Sequence, residues 1–203
     1  MHIEFLVEEY SAEVALINIL PRILGENTAY AIRTFSGKQD LLTQLPLRLK
    51  GYRKWKPEDR RIVVLVDQDR ENCLDLKDKL EEAARKAGFI TKSGARGRRG
   101  FDVINRLAIE ELEAWFFGDP KAIVQAYPRV PTTIGSKAPY RNPDAIVGGT
   151  WETLERVLQK AGYYPGGMPK AETAENISKY MDPSRNGSKS FQVFRDALLG
   201  LHL

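Results

Sequence analysis

The run Arg61-Ile-Val-Val-Leu-Val-Asp67-Gln-Asp69-Arg70 constrains this chain more than any other stretch. Its uninterrupted apolar residues, Ile62 to Val66, read as a strand buried on both faces, the kind found in the middle of a parallel sheet. Two carboxylates one residue apart follow it at once. In open α/β folds the crevice beyond the carboxyl ends of the strands is where ligands bind. Paired aspartates there repel unless a cation stands between them, and Mg²⁺ takes carboxylate oxygens while keeping waters that a phosphate displaces. The alternative is that Asp67 and Asp69 cap the next helix.

The flanking pattern predicts strands at His2–Val7, Ala29–Phe35, Arg61–Val66 and Phe89–Lys92. Between them fall amphipathic helices at Ser11–Leu24, Asp40–Leu49 and Leu74–Ala87. Ser11 is the expected N-cap of the first, and Leu74, Leu76 and Leu80 begin the expected buried stripe of the third. This alternation predicts an α/β fold, a parallel sheet with right-handed crossovers and helices on both faces. Phe101 to Ile109 alternates as a half-buried strand leading to a helix at Glu110–Phe117. Beyond Gly118 the chain reads as helices near 120–127, 151–161, 171–181 and 190–199, with a Pro-, Gly- and Thr-rich loop over 128–150. The division is therefore an α/β domain at 1–118 and a helical extension at 119–203 packed on it.

At 203 residues the chain can bury a substantial core. No stretch is apolar enough to span a bilayer and the first residues lack a signal-peptide pattern, so a cytoplasmic location without membrane contact is expected. A single cysteine, Cys73, excludes an internal disulfide, and two histidines, His2 and His202, argue against histidine-based catalysis. The net charge of +4 is mild. Lys92, Arg96, Arg98 and Arg99 nevertheless gather in one Gly-rich loop, which can hold phosphates or be a solvated loop.

Parallel strands bring their carboxyl ends together, so Glu8, Glu9 and Glu13, after the first strand, should approach Asp67 and Asp69. Glu9 and Glu13 are one helical turn apart. These acids can hold a cation, or simply favour the positive end of the first helix. Glu111 and Glu113, with Glu110, form a third acidic group and candidate ligands for a second metal, or are solvated beside the apolar Leu112, Trp115 and Phe116. Ser188, Lys189 and Ser190 open the last helix, where a phosphate can bind and where a serine more often acts as a plain N-cap.

Strand, glutamate, helix and a later strand ending in Asp67-Gln-Asp69 resemble the Toprim fold of topoisomerases, primases and overcoming-lysogenization-defect nucleases. The first motif of that superfamily usually reads Val-Glu-Gly with a following Ser or Thr. Here it is Val7-Glu8-Glu9-Tyr10-Ser11, so either Glu8 or Glu9 takes the glutamate's place. Phe5–Ser11, Val66–Arg70, Ala108–Trp115 and Asn186–Phe194 together resemble a bacterial group of small stand-alone Toprim-like proteins of unknown function, often encoded beside an ATPase. The resemblance implies Mg²⁺- or Mn²⁺-dependent phosphodiester chemistry on nucleic acid, DNA by expectation, with an ATPase partner in phage or plasmid defence. It would make Glu8, Glu9, Asp67 and Asp69 the catalytic acids. Two other readings are a receiver-like domain phosphorylated on Asp67 and a non-catalytic metal-binding regulatory module.

Overall fold

The computed structural model describes residues 1–55, 60–95 and 100–201. Four parallel strands, β1 (His2–Val7), β2 (Ala29–Thr34), β3 (Arg60–Asp67) and β4 (Val103–Ala108), form one sheet in the order β2-β1-β3-β4. The two central strands are the two most apolar, as burial on both faces requires. Helix α1 (Tyr10–Leu24) follows β1, α2 (Lys38–Trp55) follows β2, and α3 (Cys73–Lys86) follows β3. The later helices are α4 (Glu113–Phe117), α5 (Pro120–Ala126), α6 (Thr150–Lys160), α7 (Lys170–Ser178) and α8 (Lys189–Leu199). Three short 3-10 turns occupy part of the stretch between α5 and α6.

Strand parity sorts the core into two layers. Ile3, Phe5 and Val7 of β1, with Val63 and Leu65 of β3, face α1 and the later helices. Leu6, Ile62, Val64 and Val66 face α2 and α3. The α1 layer is much the larger and runs from β1 through Trp115 and Leu154 to Phe191 and Leu198, so one apolar cluster joins the α/β half to the helical half. Trp115 lies at its centre against Phe191 and Phe194, and its indole N–H donates to Ser190 Oγ at 3.0 Å.

The sheet is the expected parallel one, but its fourth strand is not Phe89–Lys92. That segment supplies only an isolated bridge from Thr91 to Val103, and the alternating stretch after the basic loop pairs with β3 instead. Alternation of apolar residues marked the true edge strand; the short run Phe89-Ile-Thr is the approach to it. Helix α2 runs past Gly51, and the N-cap of α1 is Glu9, with Ser11 buried inside the first turn. Leu74 is 70% exposed, off the stripe that Leu76 and Leu80 bury.

Candidate functional site

The loops after β1, β3 and β4 converge at the carboxyl edge of the sheet. Asp67, the last residue of β3, has the parity of Val63 and Leu65 and so points into the α1 layer, where it is 8% exposed. Glu8 lies beside it and accepts the Asp67 N–H on Oε2 at 3.2 Å. Glu113, at the start of α4, is 1% exposed and its Oε2 has no hydrogen-bond partner. Glu8 and Glu113 come from different parts of the chain and both oppose the charge of Asp67.

Burial, then the charges of Glu113 and Glu8, pushes the Asp67 carboxyl well above the ordinary aspartate range. Burial likewise raises Glu113 to about 7 against the partial relief of Lys170, with Glu111 and Glu9 adding to the rise. Glu8 is raised by burial, opposed by its bond from Asp67 N–H and by the charge of Lys38.

Two lysines partly balance this negative field, each the first residue of a helix. Lys170 Nζ donates to Glu9 Oε1 at 2.9 Å, lies over the Trp151 ring and faces Glu113 and Asp67. Lys38 Nζ donates to Asp69 Oδ2 at 2.5 Å and to Gln68 O at 3.1 Å. Glu9 also accepts from Ser11 Oγ at 2.6 Å; burial works against its charge, but these donors hold its pKa below the usual glutamate value. Glu8, rather than Glu9, is thus the neighbour of Asp67, while Glu9 is the counter-ion of Lys170.

Backbone strain marks the same edge. Asp69 and Glu110 both adopt the left-handed region, with φ of 50° and 62°, and Asp69 N–H donates to Glu110 O at 2.7 Å. For residues with a Cβ this conformation costs roughly 1 kcal/mol each. It turns the loops after β3 and β4 together over a cleft of about 610 Å³, bordered by Lys38, Arg70, Glu110, Glu111 and the Gly148–Gly149 turn. The aspartate pair is not a helix cap: Asn72 caps α3, accepting from Leu74 and Asp75 N–H.

Other expected site residues have different tasks. Glu111 Oε2 accepts from Thr150 Oγ1 at 2.9 Å and Trp151 N–H at 2.7 Å, closing the start of α6. Glu13 is half-buried in the first turn of α1. The start of α8, offered to a phosphate by the sequence, holds an internal carboxylate: Asp144 accepts from Lys189 and Ser190 N–H and from both Ser188 and Ser190 hydroxyls. Ser188 caps the helix by accepting from Phe191 N–H, and Ser188 and Ser190 are buried. Lys92 lies at the opposite end of β4, over the Phe101 ring, roughly 16 Å of strand from the acids. Arg96, Arg98 and Arg99 lie outside the described residues.

Lys38 and Lys170 escaped the sequence reading. Each opens a helix, where the macrodipole disfavours a cation, and that misplacement is the signal that would have found them.

For a hard cation the donor type fits: every candidate ligand is an oxygen, and one buried Glu113 oxygen lacks a partner. Among the described residues, however, no group of three or more acidic, histidine or cysteine side chains is gathered to hold a metal ion as it stands, and the cations facing the acids are the two lysines.

A family model described as a domain of unknown function, DUF4276, matches residues 7–199. The chain belongs to that family. The match spans both the acidic edge and the last helix, so the site and the helical half that supplies Lys170 are one family unit. No curated protein and no solved structure matches the chain. Among the described residues no helix is long and apolar enough to cross a membrane.

Proposed function

We propose that the acidic edge is a site of metal-assisted phosphodiester chemistry on nucleic acid, with Glu8, Asp67 and Glu113 as the residues that would hold a divalent cation. The supporting observation is that Asp67 and Glu113 are buried carboxyls, both raised, that the charge of Glu113 contributes to the rise of Asp67, and that a buried Glu113 oxygen has no partner. Folding has gathered negative charge at its own expense, and such frustration is concentrated at functional sites. A bound Mg²⁺ or Mn²⁺ would supply Lewis-acid polarisation of a phosphoryl oxygen and a more acidic water.

The chain's own groups have definable parts in this reading. Glu113, raised to about 7 without a cation, would give up its proton as a cation binds. Lys38 and the exposed Arg70 border the cleft and would orient a phosphate there, while Asp69 positions Lys38. Lys170 balances the acids in the absence of a cation and ties Glu9 away from them. No base-reading surface enters the proposal, so substrate choice would rest on shape or on a partner.

The test is to incubate the purified chain with plasmid, linear DNA and RNA, with Mg²⁺, Mn²⁺ or chelator, beside Asp67→Asn and Glu113→Gln. Metal-dependent cleavage lost in both variants is expected, together with Mn²⁺ binding by calorimetry that is abolished in Asp67→Asn. Cleavage surviving in Asp67→Asn, or no Mn²⁺ binding to the wild-type chain, would overturn the reading.

A further inference from the structure

A second surface lies away from the acidic edge, where β4 ends the sheet. The residues of β4 that pair with β3 are even-numbered: Ile62 N–H bonds to Asp102 O and Gln68 N–H to Ala108 O. The odd-numbered residues therefore turn their main chain outward. Val103 O accepts from Lys92 N–H, and Asn105 O from Lys77 Nζ and the Arg106 guanidinium. Among the described residues no strand pairs with this side of β4 beyond the single bridge at Val103.

Next to the Leu107 position the edge opens into a groove of about 320 Å³ between α3 and α8. Its apolar lining includes Leu74, 70% exposed, and Val193, 43% exposed, with partly buried Leu107 between the helices. Side chains of this size are rarely left facing water around one concavity without a partner. The rim is basic. Lys77, Arg106 and Lys189 border it; Glu81 pairs with Lys77, and the oxygens of Asp144, the acid in the lining, are taken by the first turn of α8. Burial lowers the pKa values of Lys77 and Arg106 against the opposing charge of Glu81, which is bound to Lys77, so the cations left to meet a ligand's acids are Arg106 and Lys189.

We propose that this groove docks an extended segment of a partner protein in which apolar and acidic residues alternate. An extended chain sends successive side chains to opposite sides, so its apolar residues meet Leu74 and Leu107 on the α3 side while its acids reach Arg106 and Lys189 beside Val193 on the α8 side. Main-chain hydrogen bonds at the Leu107 end of the edge, beyond the occupied Val103 and Asn105 carbonyls, supply affinity, and the lining supplies selectivity. A nucleic-acid strand would satisfy the cations but leave the apolar lining unexplained.

The probe is a short fluorescein-labelled peptide alternating Leu or Val with Asp, compared with its Lys-for-Asp analogue and with a labelled single-stranded oligonucleotide. Binding is read by anisotropy and by protection of Cys73, the chain's single cysteine, which lines the groove, against alkylation. The acidic peptide should bind saturably, protect Cys73, and weaken by about tenfold or more in Leu74→Asp and in Val193→Asp. Both residues are exposed, so each variant should keep the wild-type melting temperature, and Asp67→Asn should bind the peptide normally. Absence of saturable binding, equal binding of the Lys analogue, or stronger Cys73 protection by the oligonucleotide would overturn the proposal. So would self-association of the chain that Leu74→Asp abolishes.

Discussion

Lys170 Nζ and Glu9 Oε1 meet at 2.9 Å across most of the chain's length, joining the first residue of α7 to the N-cap of α1. The ammonium also faces Glu113 and Asp67, so one lysine from the helical half balances acids from three loops of the α/β half. Lys170→Met should push the Glu113 carboxyl further above 7. It should also lower stability at pH 8 by about 1 kcal/mol, a figure kept small because both partners of the ion pair are partly solvated. Urea denaturation at pH 8 checks the second expectation, and carboxyl titration by NMR the first.

Glu113 makes stability depend on pH in a stated direction. Its native pKa, about 7, lies above its unfolded value near 4.5, so its contribution is complete below about pH 4.5 and is lost as pH rises through 7. The full loss is roughly 3 kcal/mol. Glu113→Gln, neutral throughout, should gain on the wild type by about that amount between pH 4.5 and 8. Parallel denaturation curves for the two proteins across that window would show the expectation wrong.

Asp144 holds the start of α8 through two main-chain and two hydroxyl donors. Asp144→Ala leaves the buried Ser188 and Ser190 hydroxyls short of an acceptor and removes a helix-end anion, costing about 2 kcal/mol or more. Asp144→Asn, which keeps the acceptor oxygen but not the charge, should recover about half. Thermal unfolding of the three proteins orders them.

Asp119 is the corresponding tie below α5. It is almost fully buried, accepts Asp182 N–H at 2.8 Å and pairs with Arg185 Nε at 2.8 Å. Asp119→Ala strands the Asp182 amide and removes one acceptor from a guanidinium that keeps Asp182 and Tyr180 O, with an expected loss on the order of 2 kcal/mol. Combining it with Arg185→Met should cost less than the sum of the single changes, because the Asp119–Arg185 bond is lost in both single variants and can be lost only once.

The sheet and most helices were legible in the sequence because local pattern dictates them. An unbroken apolar run makes β3 central, and apolar spacing of 3.6 residues makes α1 amphipathic. The fourth strand was misplaced since Phe89–Lys92 and Val103–Ala108 are both plausible strands, and only pairing with β3 chooses between them. Leu74 was misjudged for a similar reason: helical spacing places it near the stripe, but what covers that end of α3 is a matter of packing.

For the site, the sequence by itself determined that Glu8, Glu9, Asp67 and Asp69 lie at one edge, because parallel strands in one sheet must end together. Tertiary structure alone decided which acids face one another. It buried Glu113 within reach of the Asp67 charge, committed Glu111 and Asp144 to helix starts, and brought Lys38 and Lys170 to the acids from distant helix ends. Burial and charge proximity depend on distances through space, and spacing along a chain does not encode them.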